Sequence, residues 1–196
     1  MTKLKLKHPI AVGALIGAVS IAAILSGLTA LTSPSPKTWD WLEDTYWYVR
    51  PQGLPNMVYD AVTDTAQPSI GQTVYHIRQC RYGYFVGECT VQIMGNDQIQ
   101  CRQMIGTVTP EGQVLLTFLA MDGEKVQLSI NAIGVMRRER GEWTMENQMA
   151  SPGPDDPTTF VAHWAYMFQV DESDPHWNSL PFARVSVPDF LGRCER

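Results

Sequence analysis

Three patterns in the sequence predict a mainly β fold. The expected architecture is an antiparallel meander of seven to eight strands, an up-and-down barrel or a sandwich, behind a single N-terminal transmembrane helix. From residue 72 onward, runs of strand-like residues are separated by turn residues at intervals of roughly 8–12 positions. Long helical periodicity is absent after residue 50. Ahead of the meander, residues 10–31 form an unbroken apolar run, with no Asp, Glu, Lys or Arg between Lys7 and Lys37.

The elements follow in chain order. Residues 1–9 are a short basic stub carrying Lys3, Lys5, Lys7 and His8. The run 10–31, at about 1.5 Å per helical residue, makes roughly 33 Å of helix, enough to cross a hydrocarbon core of about 30 Å. A cleaved signal peptide has a shorter apolar region, about 7–15 residues, and a small-x-small site. Cleavage after Ala30 would place Leu28 at the third position before the cut, and cleavage after Ser33 would place Pro34 just beyond it. Both fit poorly, so a retained anchor is expected. Short Lys-rich flanks stay in the cytoplasm. The rest of the chain is then extracytoplasmic, which in a bacterium means a periplasmic domain on the inner membrane. Gly13, Gly17, Ser20 and Gly27 fall near one face of the span. Small residues let helices approach closely in lipid, so this row is the expected packing interface with other transmembrane subunits.

Residues 32–37 are a Pro-rich linker, 38–170 the expected β domain, and 171–196 a loop-like tail packing on it. Trp39 and Trp41 are expected near the membrane interface, and 46–49 as the first core strand. Strands are then predicted over 73–81, 84–93, 99–109, 114–121, 125–138, 142–149 and 158–170. Tyr82-Gly83, Gly95-Asn96-Asp97, Pro110-Glu111-Gly112, Asp122-Gly123, Arg140-Gly141 and the loop 151–157 punctuate them, each with residues that tight turns favour. Across residues 45–170 this succession resembles, in architecture only, the small ligand-holding barrels of the lipocalin and avidin type. A lipocalin Gly-x-Trp signature and a biotin-site pattern are not evident, and no residue role follows from the resemblance.

Charge excludes one class of partner. Lys3, Lys5 and Lys7 precede the span, leaving 12 basic residues against 20 acidic ones from Lys37 onward, a net charge of −8. Nucleic-acid binding rests on Lys and Arg neutralising phosphates, so none is expected. Cys80, Cys89, Cys101 and Cys194 lie beyond the membrane, where disulfides form. Cys89 and Cys101 flank one turn, and Cys194 sits near the end of a tail that a bridge would tie down. The expected pairs are Cys89 with Cys101 and Cys80 with Cys194.

Candidate site residues come from the strand patterns. Trp143, Met145, Asn147 and Met149 alternate along one face; turned into a barrel, with His163, they would make a soft apolar wall with one amide, suited to a small apolar ligand. Ordinary core packing is the plainer reading of the same row, and of His76 and His163. The strand 158–170 is apolar on both faces. One face is core; the other, Trp164, Tyr166 and Phe168, needs cover from the tail or from a docking partner. Arg137, Arg138 and Arg140 read as a solvated hairpin tip. Metal-site spacings are not found, nor are the G-x-S-x-G, H-E-x-x-H, G-x-G-x-x-G and P-loop motifs. No cofactor is implied and enzymatic activity is not expected. The leading functional expectation is a non-catalytic, single-pass accessory subunit of a larger membrane complex; a respiratory or photosynthetic assembly would fit. The alternative is a tethered barrel binding a small apolar ligand.

Overall fold

A computed structural model describes residues 36–50, 56–93, 98–153 and 158–194. Ten strands form one antiparallel sheet: β1 (Thr45–Val49), β2 (Asn56–Asp60), β3 (Thr65–Ser69), β4 (Gly71–Arg81), β5 (Tyr84–Ile93), β6 (Ile99–Val108), β7 (Gln113–Asp122), β8 (Lys125–Glu139), β9 (Glu142–Pro152) and β10 (Thr159–Val170). Eight of them run in the order β1-β4-β5-β6-β7-β8-β9-β10, and β1 pairs back onto β10. The sheet is therefore a closed barrel, not a sandwich. At this strand number the interior is just wide enough to be filled by side chains or to hold one small ligand.

The remaining two strands were not expected from the sequence. The C-terminal half of β10, Met167–Val170, pairs with β1, and its N-terminal half, Thr159–Ala162, pairs with β2. The β2–β3 hairpin thus extends the sheet beside the barrel at the end where β10 begins. The predicted hairpins at Tyr82-Gly83 and Arg140-Gly141 are formed, each with positive φ at both central residues (55° and 80°; 51° and 91°). That is the geometry whose twist matches paired strands.

The barrel is plugged at one end by a 3-10 turn, Pro36–Leu42, just ahead of β1. Trp39, 5% exposed, enters the interior core beside Leu42, Trp47 and Ile77. Its Nε1 donates to the Thr109 carbonyl at 2.8 Å, and its ring meets Trp143 at 5.4 Å. Trp41 lies against Trp143 at 5.0 Å. Trp39, expected at a membrane interface, is instead a buried stopper, because the barrel's own end offers it an apolar pocket and a carbonyl, while Trp41 leans on Trp143 and stays partly exposed. The predicted span 10–31, with Gly13, Gly17, Ser20 and Gly27, lies outside the described residues. Among the described residues no helix is long and apolar enough to cross a membrane.

A second core sits outside the barrel. The tail carries α1 (Pro175–Asn178), capped by the Asp174 carboxylate, and α2 (Val187–Leu191), capped by the Ser186 hydroxyl. Leu180, Val187, Phe190 and Leu191 pack on Tyr48, Val74 and Val170, which point outward from β1, β4 and β10. Buried Gln72 ties this layer down: its Nε2 donates to the Val49 carbonyl at 3.3 Å, and its Oε1 accepts from the Phe182 N–H at 3.2 Å. The tail ends in a disulfide between Cys194 and Cys101.

Both expected cysteine pairs are corrected. β5 and β6 are neighbours, but the register places Thr90 opposite Cys101 and Arg102 opposite Cys89. One residue of offset puts a side chain on the other face of a sheet. Cys89 therefore points into the core and Cys101 outward, where the tail arrives. Cys80 is buried beneath the plug, its Sγ 3.2 Å from the Trp39 carbonyl, and both Cys80 and Cys89 are free thiols.

Candidate ligand-binding site

Opposite the tryptophan plug, side-chain filling is incomplete. A cavity of about 60 Å³ lies where β5, β9 and β10 expose Ile93, Pro152 and Val161 at their ends, beside Asn56 of β2. A buried water needs roughly 10–15 Å³ on this measure, so the space suits a group of a few heavy atoms. Its apolar wall includes Val91, Phe118, Ile130 and Met149, and its polar wall Thr73, Tyr75, Gln100, Arg102, Ser151 and His163.

Strand alternation sets these positions. In β6, Gln100, Arg102 and Met104 share the inward row, while Cys101 and Gln103 are exposed. In β4, Thr73, Tyr75 and Ile77 point inward, and Tyr75 lies 5.4 Å from Phe118 across the barrel. Tyr75 is fully buried, and among the described residues its Oη has no hydrogen-bond partner. Such an atom costs free energy while unpaired. Arg102 donates to the Cys101 carbonyl at 3.0 Å and to Gln100 Oε1 at 3.1 Å.

The predicted ligand wall is split by this geometry. Met149 and His163 line the cavity. Met145 is fully buried in solid core, and Trp143 belongs to the plugged end. Asn147 is fully buried between Met145 and Met149, and among the described residues both its amide atoms lack a partner. Arg102 was missed. Its strand carries Gln100, Arg102, Met104 and Gly106 on one face and Ile99, Cys101, Gln103 and Ile105 on the other. Neither row is clearly the apolar one, because the outer row includes residues that the tail covers. The useful signal was that Arg102 is the lone basic residue of its strand.

The proposed docking row on β10 is also divided. Phe168 lies under the Arg50 guanidinium, 3.7 Å from ring centroid, and packs against the tail core. Tyr166 donates its hydroxyl to Glu139. Trp164 alone stays well exposed, at 42%. His76 faces outward, 3.1 Å from Glu88 and 3.0 Å from Asp44, stacked on Tyr46. His176 Nδ1 lies 2.9 Å from the Tyr48 hydroxyl. Among the described residues no three His, Cys, Asp or Glu side chains are placed to hold a metal ion.

Burial lowers the pKa of His163 to about 4. The unfolded value is near 6.5. Between these values the unfolded chain binds more protons, so stability rises with pH. Acidification from about pH 6.5 to 4 should therefore remove up to about 3 kcal/mol, less where solvent reaches the ring from the cavity. Urea midpoints at pH 7.5 and 4.5 measure this. His163→Gln should flatten the difference; an equal acid sensitivity in that variant would assign it to other groups.

No family model, curated protein or solved structure matches this chain.

Proposed function

We propose that this protein is a binding barrel that holds a small ligand at the end opposite its tryptophan plug. The observation carrying this reading is the cavity of about 60 Å³, which combines an apolar wall with convergent polar groups. Binding sites characteristically pair an apolar lining with a few polar groups that orient the ligand. A core built only for stability would fill such a space and satisfy the Tyr75 hydroxyl, since voids and unpaired buried polar atoms both destabilise. The size limits what fits wholly inside to a compact molecule. A longer one would place only one end there.

One further observation favours a second reading, an accessory subunit that docks on a partner. The outer wall of β5–β8 exposes Val86 facing Ile105 and Leu115 facing Ile133, the last 64% exposed. Clustered exposed apolar residues of this kind mark interaction surfaces.

Native mass spectrometry of the full chain, extracted in mild detergent, tests both. The ligand reading expects a small-molecule adduct that is lost in Ile130→Phe, which fills the cavity. Bare protein in the wild type overturns it, and a co-purifying subunit retained by Ile130→Phe but lost in Ile133→Asp supports the second reading.

A further inference from the structure

The polar side of the cavity is electrically one-sided. Among the described residues Arg102 lines it, and no Asp or Glu does. Among the described residues Arg102 makes no ion pair, and the hydrogen bonds given above go to neutral acceptors. Further N–H donors of the guanidinium remain for a ligand. Among the described neighbours Cys89 does not supply a counter-charge, because burial pushes its thiol far up. An inward-turned cation without a partner charge is costly, and an anion delivered by a ligand would offset that cost.

We propose that the cavity receives the carboxylate of a small organic acid, paired to Arg102, with its apolar stem against Val91, Phe118, Ile130, Met149 and Val161. This rests on the ligand-holding reading above and names the class of ligand. The planar guanidinium matches a carboxylate fork. One cation balances one negative charge, whereas a phosphate would bring more charge than the site neutralises. The predominance of apolar lining calls for a stem, which inorganic anions lack. The unpaired Tyr75 hydroxyl supplies an additional donor to an acid oxygen.

Calorimetric titration of the full chain with hexanoate and with hexan-1-ol, at neutral pH, separates charge from stem. A charge-assisted hydrogen bond is worth about 1.5–3 kcal/mol, so hexanoate should bind roughly tenfold or more tightly than the alcohol. Arg102→Gln should remove that preference, and Arg102→Lys should restore part of it. The wild-type comparison stands even if a variant fails to fold. Equal binding of acid and alcohol, alcohol binding alone, or displacement of hexanoate by equimolar phosphate would overturn the carboxylate assignment and leave the cavity reading intact. Absence of binding by both compounds up to millimolar concentration overturns the two together.

Discussion

Cys194→Ser should lower the stability of the folded domain by about 4 kcal/mol and its melting temperature by roughly 10 °C. The bridge to Cys101 spans a sequence separation of 93 residues. In the chain-entropy account, closing a loop of about 100 residues restricts the unfolded ensemble by about 4.7 kcal/mol, and loss of native disulfides typically costs about 2–5. Cys101→Ser should match Cys194→Ser, and the double variant should add nothing, because either change removes the same link. Equilibrium urea unfolding measures all three. The consequence is also local. With the staple cut, Arg193 to Gln92, at 3.1 Å, and the Thr90 hydroxyl beside residue 194 are the polar ties left among the described residues at that end of the tail. The exposed Arg184, held at φ 57°, then becomes a site of tryptic nicking. A non-reduced digest gives the pairing directly. A Cys80–Cys194 peptide would refute the register argument, and full stability in Cys194→Ser would refute the energetic one.

The barrel strands were legible because their turns are chemically loud. Tyr82-Gly83 and Arg140-Gly141 stand between alternating runs, and a two-residue hairpin fixes the register of its neighbours. The inward row of β9 was legible for the same reason, since Trp143, Met145, Asn147 and Met149 keep a strict period of two. The β2–β3 hairpin was not. Thr65–Ser69 reads TAQPS, with Pro68 inside it, and proline is confined to edge strands; β3 is in fact the last strand of the sheet. The disulfide was illegible for a subtler reason. Adjacent strands could be inferred across the 94–98 turn, but the register could not, and one residue decides whether Cys89 and Cys101 share a face. The two-faced apolar strand β10 signalled cover from the tail or from a partner, and of its outer row the tail core takes in Phe168 while Trp164 stays exposed. The structure extends that cover to β1 and β4, whose Tyr48 and Val74 belong to the same outer core. Arg102 needed the closed barrel before its place in the cavity lining, apart from the described acidic side chains, meant anything.

Trp39→Ala should destabilise the domain by about 4 kcal/mol, within the range of roughly 3–5 for truncating a buried tryptophan. The ring is almost wholly enclosed, meets Trp41 at 6.1 Å and Trp143 at 5.4 Å, and closes the barrel over Cys80. Removing it leaves a hollow that the ends of the strands, held by the β4–β5 and β8–β9 hairpins, cannot close. The Thr109 carbonyl is not orphaned, because it also accepts from the Gly112 N–H at 2.8 Å. Most of the loss is therefore packing, not hydrogen bonding. Trp39→Phe keeps much of that packing and should cost only about 1–2 kcal/mol. Two consequences follow that a membrane-interface tryptophan would not produce. The loss should be the same in detergent and in lipid, and the Cys80 thiol, whose pKa burial lifts to about 11, should become reactive toward maleimide in Trp39→Ala. Unchanged urea stability and an unreactive Cys80 would return Trp39 to the bilayer surface. The predicted loss and labelling together would make the segment ahead of β1 the stopper of the barrel, which leaves the opposite end for the ligand.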